Sequence, residues 1–128
     1  MKVLLDTHVF LWAISDPGRL SARAVETIQD SANEVLLSIA SAWEIAIKVG
    51  IGKFVMPVPL APYLQRQLVK HRIGVLPIQL SHLATLEKLP LHHRDPFDRL
   101  LVAQCLEENA TLITVDSQLQ LYPVNIIR

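Results

Sequence analysis

Short apolar segments, too brief for helices, alternate with helical segments along the whole chain, and this alternation limits the possible folds most strongly. Strands are predicted at residues 2–5, 34–38, 73–78, 111–115 and 124–127. Because these segments are almost continuously apolar, they favour a parallel sheet that is covered on both faces. Since helical segments separate the strands, the sequence predicts a three-layer α/β/α fold with a central parallel sheet.

The segments between the strands show helical spacing and recognisable helix ends. Helices are predicted at residues 8–14, 22–30, 40–49, 63–72, 82–89 and 96–108, with a single turn at 117–121. The predicted N-caps are Ser21, Ser81 and Asp95, and Pro96 follows Asp95 at the first helical position. Residues 54–62 contain three prolines and are predicted to form a connection.

Length and cysteine content limit the class of protein. A chain of 128 residues has the size of one compact domain, so residues 1–128 are predicted to form a single domain. Cys105 is the only cysteine, which excludes an internal disulfide and is typical of a reducing compartment, here the cytoplasm. Asp6 interrupts the first apolar run too early for a secretory signal. No apolar stretch reaches the length of about 20 residues that a membrane span needs.

Composition also limits the partners. The 12 Lys and Arg residues balance the 12 Asp and Glu residues, so binding to a polyanion would require a local basic patch. The hydrophobic fraction of 51% and the mean hydropathy of +0.33 exclude a disordered chain. They also indicate an apolar surface for a partner or for self-association.

Four of the acidic residues interrupt apolar contexts, whereas the others fit turns or solvated helix faces. These four are Asp6, Glu44, Asp98 and Asp116. Asp6 and Asp116 follow predicted strands, and open parallel sheets bind ligands at the carboxyl ends of their strands. Each acid also has a structural interpretation, since Asp6 and Asp116 can cap helices and Asp98 can interact with a helix dipole. Glu44 can pair with Lys48, four residues further on.

A cation would offset the repulsion between these four carboxylates if folding brings them into one cleft. Mg²⁺ fits such a site, because it prefers oxygen ligands and keeps waters that leave room for a phosphate oxygen. Mn²⁺ is an alternative. Such an ion polarises a phosphoryl group and lowers the pKa of a bound water. The four acids are far apart along the chain, so the site depends on folding.

The segments LLDTHVFLW, SIASAWEIAIK, HHRDPFDRLLVAQ and TLITVD together resemble the PIN domain family, most closely the small VapC-like toxins of type II toxin–antitoxin pairs. The resemblance covers nearly the whole chain. It implies a PIN-like nuclease domain and a Mg²⁺-dependent endoribonuclease that cleaves RNA through a metal-activated water. It further implies that Asp6, Glu44, Asp98 and Asp116 are both the catalytic and the metal-binding residues, with the role of Asp116 the most variable.

The same resemblance implies partners. They are an RNA substrate, a second copy of the chain in a homodimer, and a small antitoxin protein that inhibits the enzyme. Because PIN proteins also act in the processing of ribosomal RNA, the nuclease activity is implied more strongly than the toxin role.

Residues next to the acids are candidates for supporting roles. Asp95 competes with Asp98 for a place in the cluster, but its position suits an N-cap better. Thr7 and Thr114 could orient the acids or a water, as residues around metal sites often do, or could simply be a cap and a strand former.

Other side chains have two interpretations each. Phosphate binding or ordinary surface charge is predicted for Arg94, Arg99, Lys48 and Lys53. Core packing, a partner groove or base stacking is predicted for Trp12 and Trp43. His8, His92 and His93 would suit a transition metal, which the all-oxygen acids disfavour. Cys105 is predicted to be an inert core thiol.

Two other classes of protein compete with the nuclease. A signalling receiver domain also places acids and Mg²⁺ at a sheet edge, but it needs paired acids after the first strand, where Asp6 is followed by Thr7. A PIN-like binding module that has lost catalysis would dock a partner only, and the intact set of four acids argues against it.

Overall fold

The computed structural model describes all residues, 1–128, and contains one five-stranded sheet whose strands are all parallel. The strands are β1 (Lys2–Leu5), β2 (Glu34–Ser38), β3 (Gly74–Leu76), β4 (Thr111–Ile113) and β5 (Ile126–Ile127). Their order across the sheet is β3-β2-β1-β4-β5. The predicted parallel sheet is confirmed, although β3, β4 and β5 are each shorter than expected.

Six α-helices cover the sheet. They are α1 (Thr7–Ser15), α2 (Ala22–Gln29), α3 (Ile39–Gly50), α4 (Leu60–Lys70), α5 (Leu80–Lys88) and α6 (Pro96–Glu108), with short 3-10 helices at Pro17–Arg19 and Ser117–Leu121. The predicted N-caps Ser21 and Asp95 are confirmed, because each side chain accepts a backbone N–H of its helix. No helix is both long and apolar enough to span a membrane.

The three layers follow from the two faces of each strand. In β1, Val3 and Leu5 pack into one buried cluster with residues of α1, α2 and α4. Leu4, between them, packs into a second cluster with residues of α6. Because successive strand residues point to opposite faces, a sheet with helices on both sides needs apolar residues at every position. The predicted three-layer fold is therefore confirmed.

Two predicted helix starts are wrong. The α4 helix begins at Leu60, earlier than expected, and it accommodates Pro62 in its first turn, where a backbone N–H needs no partner within the helix. The α5 helix is capped by Gln79 and not by Ser81. The physical reason is His82, whose Nδ1 accepts the backbone N–H of Gln79 at 3.0 Å.

A buried polar chain fixes that arrangement between α5 and α6. The His82 ring is fully buried, and its Nε2 lies 2.8 Å from Oε2 of Glu108. Gln104, also fully buried, accepts a hydrogen bond from the Ser38 hydroxyl at 2.5 Å and donates to the carbonyl of Pro77 at 3.3 Å. These contacts join α6 to the end of β2 and to the start of α5.

The order of the strands creates one crevice. The chain leaves β1 in the middle of the sheet, and its later strands add on one side as β2 and β3 and on the other as β4 and β5. The backbone N–H of Asp6 donates to the carbonyl of Ile113 at 3.0 Å, so the ends of β1 and β4 are directly adjacent. Such a switch point is where open α/β sheets bind ligands.

Candidate active site

Asp6 lies directly after β1 and is held by two neighbours. Its Oδ1 caps α1 by accepting the N–H of Val9 at 2.8 Å, so the predicted capping role is confirmed. Its Oδ2 accepts the hydroxyl hydrogen of Thr114, which follows β4. Burial raises the pKa of Asp6, while the hydrogen bonds from Thr114 and Val9 work in the opposite direction. The carboxylate is therefore fixed in orientation at the crevice.

Glu44 projects from the second turn of α3 and is also buried. Its Oε1 accepts the hydroxyl hydrogen of Thr7 at 2.6 Å. Its Oε2 pairs with Nζ of Lys48 at 2.5 Å, as the spacing of four residues predicted. Thr7 and Thr114 thus each orient one buried carboxylate. Lys48 lies at the acids and neutralises one of them.

The sequence left open whether Asp95 or Asp98 joins the acidic cluster and whether Asp95 serves as an N-cap instead. Asp95 caps α6, and its Oδ1 accepts the N–H groups of Phe97 and Asp98 at 2.8 and 3.2 Å. Asp98 lies in the first turn of α6 and its carboxylate accepts no hydrogen bond. The nearest donor is Nε2 of His93, 3.4 Å from Oδ2.

Asp116 follows β4 and has both carboxylate oxygens engaged. Oδ1 accepts the N–H of Gln118 at 2.9 Å and caps the short helix after it. Oδ2 lies 2.8 Å from Nε2 of His93. Burial tends to raise the pKa of Asp116, but the hydrogen bonds from His93 and Gln118 outweigh it and lower the pKa below its ordinary value. Asp116 is therefore ionised at neutral pH.

Neighbouring carboxylates act on the charge of Asp98. Burial raises the pKa of Asp98 to about 7, and the neighbouring charges of Asp95, Asp6 and Glu44 add to this, while His93 lowers it. Thr114 also joins the ends of β1 and β4, since its hydroxyl oxygen accepts the N–H of Asp116 at 3.1 Å while it donates to Asp6. Folding thus brings possible ligand atoms of His93, Asp98 and Asp116 within 4.8 Å of one another, and places Asp6 and Glu44 near enough to act on the charge of Asp98.

The predicted phosphate ligands have different surroundings. Arg94 and Lys53 are exposed. Arg99 donates from Nη2 to the carbonyl of Leu89 at 3.2 Å, which ties it to the loop before α6. Trp43 is 57% exposed and packs edge-on against Phe97 at 5.2 Å between ring centroids. It is therefore a surface residue and not part of the core.

Sequence reasoning missed Tyr122, and it considered His93 only as a disfavoured transition-metal ligand. His93 alone among the candidate histidines contacts the acids, whereas His8 packs against Trp12 and His92 against Tyr122. The pair of histidines just before Asp95 was visible as a signal, but their direction was not. The hydroxyl of Tyr122 accepts the N–H groups of His92 and His93, at 3.1 Å each, and no local pattern indicated this contact.

A divalent cation fits Asp98 and Asp116, whose possible ligand atoms lie within 4.8 Å of each other and of a ring nitrogen of His93. The four acids supply oxygen ligands only, which suits Mg²⁺ or Mn²⁺ better than zinc or copper. Asp6, Glu44 and Asp116 have hydrogen-bond donors, but Asp98 lacks one, and burial together with the neighbouring charges raises its pKa. A positive charge at Asp98 would remove that imbalance.

The protein belongs to the class of open parallel α/β folds, and its acidic side chains lie at the switch point where such folds bind ligands. The sequence pattern of the PIN domain matches residues 3–124, which is nearly the whole chain. The chain therefore belongs to the PIN domain family, as the resemblance of its four acidic segments predicted.

Similar proteins agree with this assignment. Ribonuclease VapC22 of Mycobacterium tuberculosis is 35% identical over 121 residues, 92% of this chain and 89% of that protein. Ribonuclease VapC16 of the same organism is 45% identical over 71 residues, 52% of this chain and 49% of that protein.

Solved structures share the fold at lower identity. VapBC2 from Rickettsia felis, bound to a DNA fragment from its promoter, superposes with a TM-score of 0.75 at 18% identity, covering 99% of this chain and 98% of that chain. FitAcB from Neisseria gonorrhoeae gives a TM-score of 0.63 at 20% identity, covering 98% and 96%.

Proposed function

We propose that this protein is a divalent-metal-dependent endoribonuclease and the toxin of a toxin–antitoxin pair, with residues 1–128 forming one nuclease domain. The observation that supports the proposal is the group of Asp98, Asp116 and His93, whose possible ligand atoms lie within 4.8 Å of one another and in which Asp98 accepts no hydrogen bond and burial raises its pKa. Two Mycobacterium tuberculosis relatives named as ribonucleases support the substrate class. Cytoplasmic RNA is the substrate that this proposal implies.

The metal would be held by Asp6, Glu44, Asp98 and Asp116, and Mg²⁺ is the ion proposed, with Mn²⁺ able to replace it. When bound, such an ion polarises the phosphoryl group, lowers the pKa of a water to make it a nucleophile and neutralises the leaving oxygen. Thr114 and Thr7 hold Asp6 and Glu44 in fixed orientations. A site that is built before the substrate arrives loses less free energy to reorganisation.

Asp98 and the basic residues have separate tasks in this proposal. In the metal-free protein, burial and the neighbouring charges raise the pKa of Asp98 to about 7, so Asp98 keeps its proton to a higher pH than an ordinary carboxylate. That proton would leave when positive charge is bound. Arg94, Arg99 and Lys48 would contact the phosphates of RNA, and Arg94 is the most accessible of the three.

A second copy of the chain is the proposed partner of the exposed face of α3. Ile39, Trp43, Ile47 and Ile51 recur at intervals of four residues and are 44%, 57%, 39% and 63% exposed. Residues at this spacing lie on one side of a helix, so they form an apolar strip. Sedimentation of the wild type and of Trp43→Lys tests the homodimer, and an unchanged monomer in both would contradict it.

The activity is tested with purified protein on a panel of structured and single-stranded RNAs. Cleavage is expected with Mg²⁺ and not with EDTA, and Asp6→Asn and Asp98→Asn should abolish it. Glu26→Gln, which changes an exposed acid on α2, is the matched control and should cleave normally. Absence of cleavage by folded protein that is free of bound inhibitor would favour a binding module instead.

A small antitoxin protein is the remaining proposed partner. A structural neighbour from Rickettsia felis is VapBC2, and a chain of that structure shares this fold. Growth arrest on expression of the wild type, relieved by a small protein encoded beside it, is expected. If Asp98→Asn arrested growth equally, RNA cleavage would not be the cause of the arrest.

A further inference from the structure

His93 lies in the loop before α6, two residues ahead of the Asp95 N-cap, and its ring is fixed at both nitrogens. Nδ1 accepts the backbone N–H of Asp95 at 2.9 Å. A neutral imidazole that accepts at Nδ1 carries its proton on Nε2. Nε2–H therefore donates to Oδ2 of Asp116 at 2.8 Å, and it lies 3.4 Å from Oδ2 of Asp98.

The backbone of the same loop is anchored by Tyr122. The Tyr122 hydroxyl oxygen accepts the N–H groups of His92 and His93, both at 3.1 Å, and the Tyr122 side chain is buried. The ring of His92 packs against the Tyr122 ring at 5.1 Å between centroids. These contacts fix both the position and the direction of the His93 ring.

Contacts among Asp116, Tyr122 and His93 form a closed ring. Oδ1 of Asp116 caps the short helix Ser117–Leu121, and Tyr122 is the C-cap of that helix. Tyr122 holds the His93 backbone, and the His93 ring returns to Oδ2 of Asp116. Because both oxygens of Asp116 are bound, the carboxylate is oriented beside Asp98 before any ligand arrives.

We propose that His93 is a positioning residue that orients Asp116 toward Asp98 through its Nε2–H, and that the Tyr122 hydroxyl sets the loop that carries it. This inference rests on the proposed metal-dependent ribonuclease. It assigns His93 to the support of a ligand and not to the metal itself, because Nδ1 accepts from Asp95 and Nε2 carries the proton. Loss of such outer partners typically weakens metal binding or activity about 10- to 100-fold.

The test compares His93→Ala with His93→Gln, whose side-chain N–H can replace Nε2–H. His93→Ala is expected to raise the Mg²⁺ concentration for half-maximal RNA cleavage about 10- to 100-fold, and His93→Gln should recover most of this loss. Glu26→Gln, which changes an exposed acid on α2, is the control and should keep the wild-type Mg²⁺ dependence. Equal Mg²⁺ dependence in wild type, His93→Ala and His93→Gln would overturn the proposal.

A double-mutant cycle separates positioning of Asp116 from a general structural effect. If His93 acts through Asp116, His93→Ala should have little further effect in an Asp116→Asn background. An undiminished effect in that background would refute the assignment. Tyr122→Phe removes the acceptor of both loop N–H groups. Like His93→Ala, it should raise the Mg²⁺ concentration for half-maximal RNA cleavage.

Two measurements that do not depend on catalysis keep this inference separate from the ribonuclease proposal. In the metal-free wild type, nitrogen NMR should find the His93 proton on Nε2, and a proton on Nδ1 instead would overturn the argument. Binding of Mn²⁺, followed by electron paramagnetic resonance, should weaken in His93→Ala and recover in His93→Gln. If the wild type binds Mn²⁺ in this way but cleaves no RNA, the proposed activity fails while the positioning role stands.

Discussion

Replacing Asp98 by Asn should stabilise the metal-free protein while removing its activity. The carboxylate accepts no hydrogen bond, its side chain is 20% exposed, and its pKa is raised from 3.8 to about 7. A raised carboxyl pKa means that the ionised form is disfavoured in the folded state. The contribution of Asp98 to the free energy of unfolding is therefore fully present below pH 3.8, where the carboxyl is protonated. It is lost as the pH rises through about 7.

The magnitude follows from the same shift. A difference of about three pH units at about 1.4 kcal/mol each sets a ceiling of about 4 kcal/mol above pH 7. Solvent screening at a partly exposed group reduces this figure, and Asn loses the favourable interaction of a charge with the start of α6, about 0.5 kcal/mol. The net gain expected for Asp98→Asn in EDTA at pH 8 is about 1 to 2 kcal/mol.

The assay is urea unfolding of both proteins in EDTA at pH 4, 6 and 8. The stability difference should be close to zero at pH 4 and grow with pH, and Glu26→Gln should show no such growth. Adding Mg²⁺ should reverse the order, because a ligand that binds only the folded wild type stabilises it by mass action. If Asp98→Asn in EDTA is no more stable than wild type at pH 8, the repulsion inferred at this site is absent.

Three further perturbations test other parts of the molecule. Thr114→Val removes the hydroxyl that donates to Asp6, so the free energy of unfolding, measured in urea, should fall by about 1 to 3 kcal/mol. A change near zero would show that the buried carboxylate does not need this donor. Burial raises the pKa of Cys105 to about 12, so the native thiol should resist a thiol reagent at pH 8 that reacts fully after unfolding; rapid native labelling would contradict the burial. The hydrogen bond from His82 lowers the pKa of Glu108, so this group stabilises the fold above pH 4.5 and the effect is lost as the pH falls through the lowered pKa. Thermal unfolding should accordingly show Glu108→Gln less stable than wild type at pH 6, with a smaller difference at pH 3. A difference that does not change with pH would exclude the charge of Glu108 as its source.

Local pattern was sufficient wherever the structure depends on neighbouring residues. The apolar segments gave strands, Asp95 and Pro96 gave the start of α6, and the spacing of Glu44 and Lys48 gave their ion pair. The four acids were selected by their apolar contexts, but how they group depends on folding. The strands, the start of α6 and the Glu44–Lys48 pair are each decided within a few residues, where backbone geometry limits the alternatives.

The tertiary structure alone decided which distant groups meet. Thr114 and Asp6 are 108 residues apart and touch only because β4 lies next to β1 in the sheet order. His93 contacts Asp116 from a loop whose backbone Tyr122 holds, and the Gln79 cap of α5 depends on a buried His82 ring that also contacts Glu108 in α6. Periodicity determines which face of a strand or helix is buried, but the order of strands and the direction of a loop side chain depend on the packing of the whole chain.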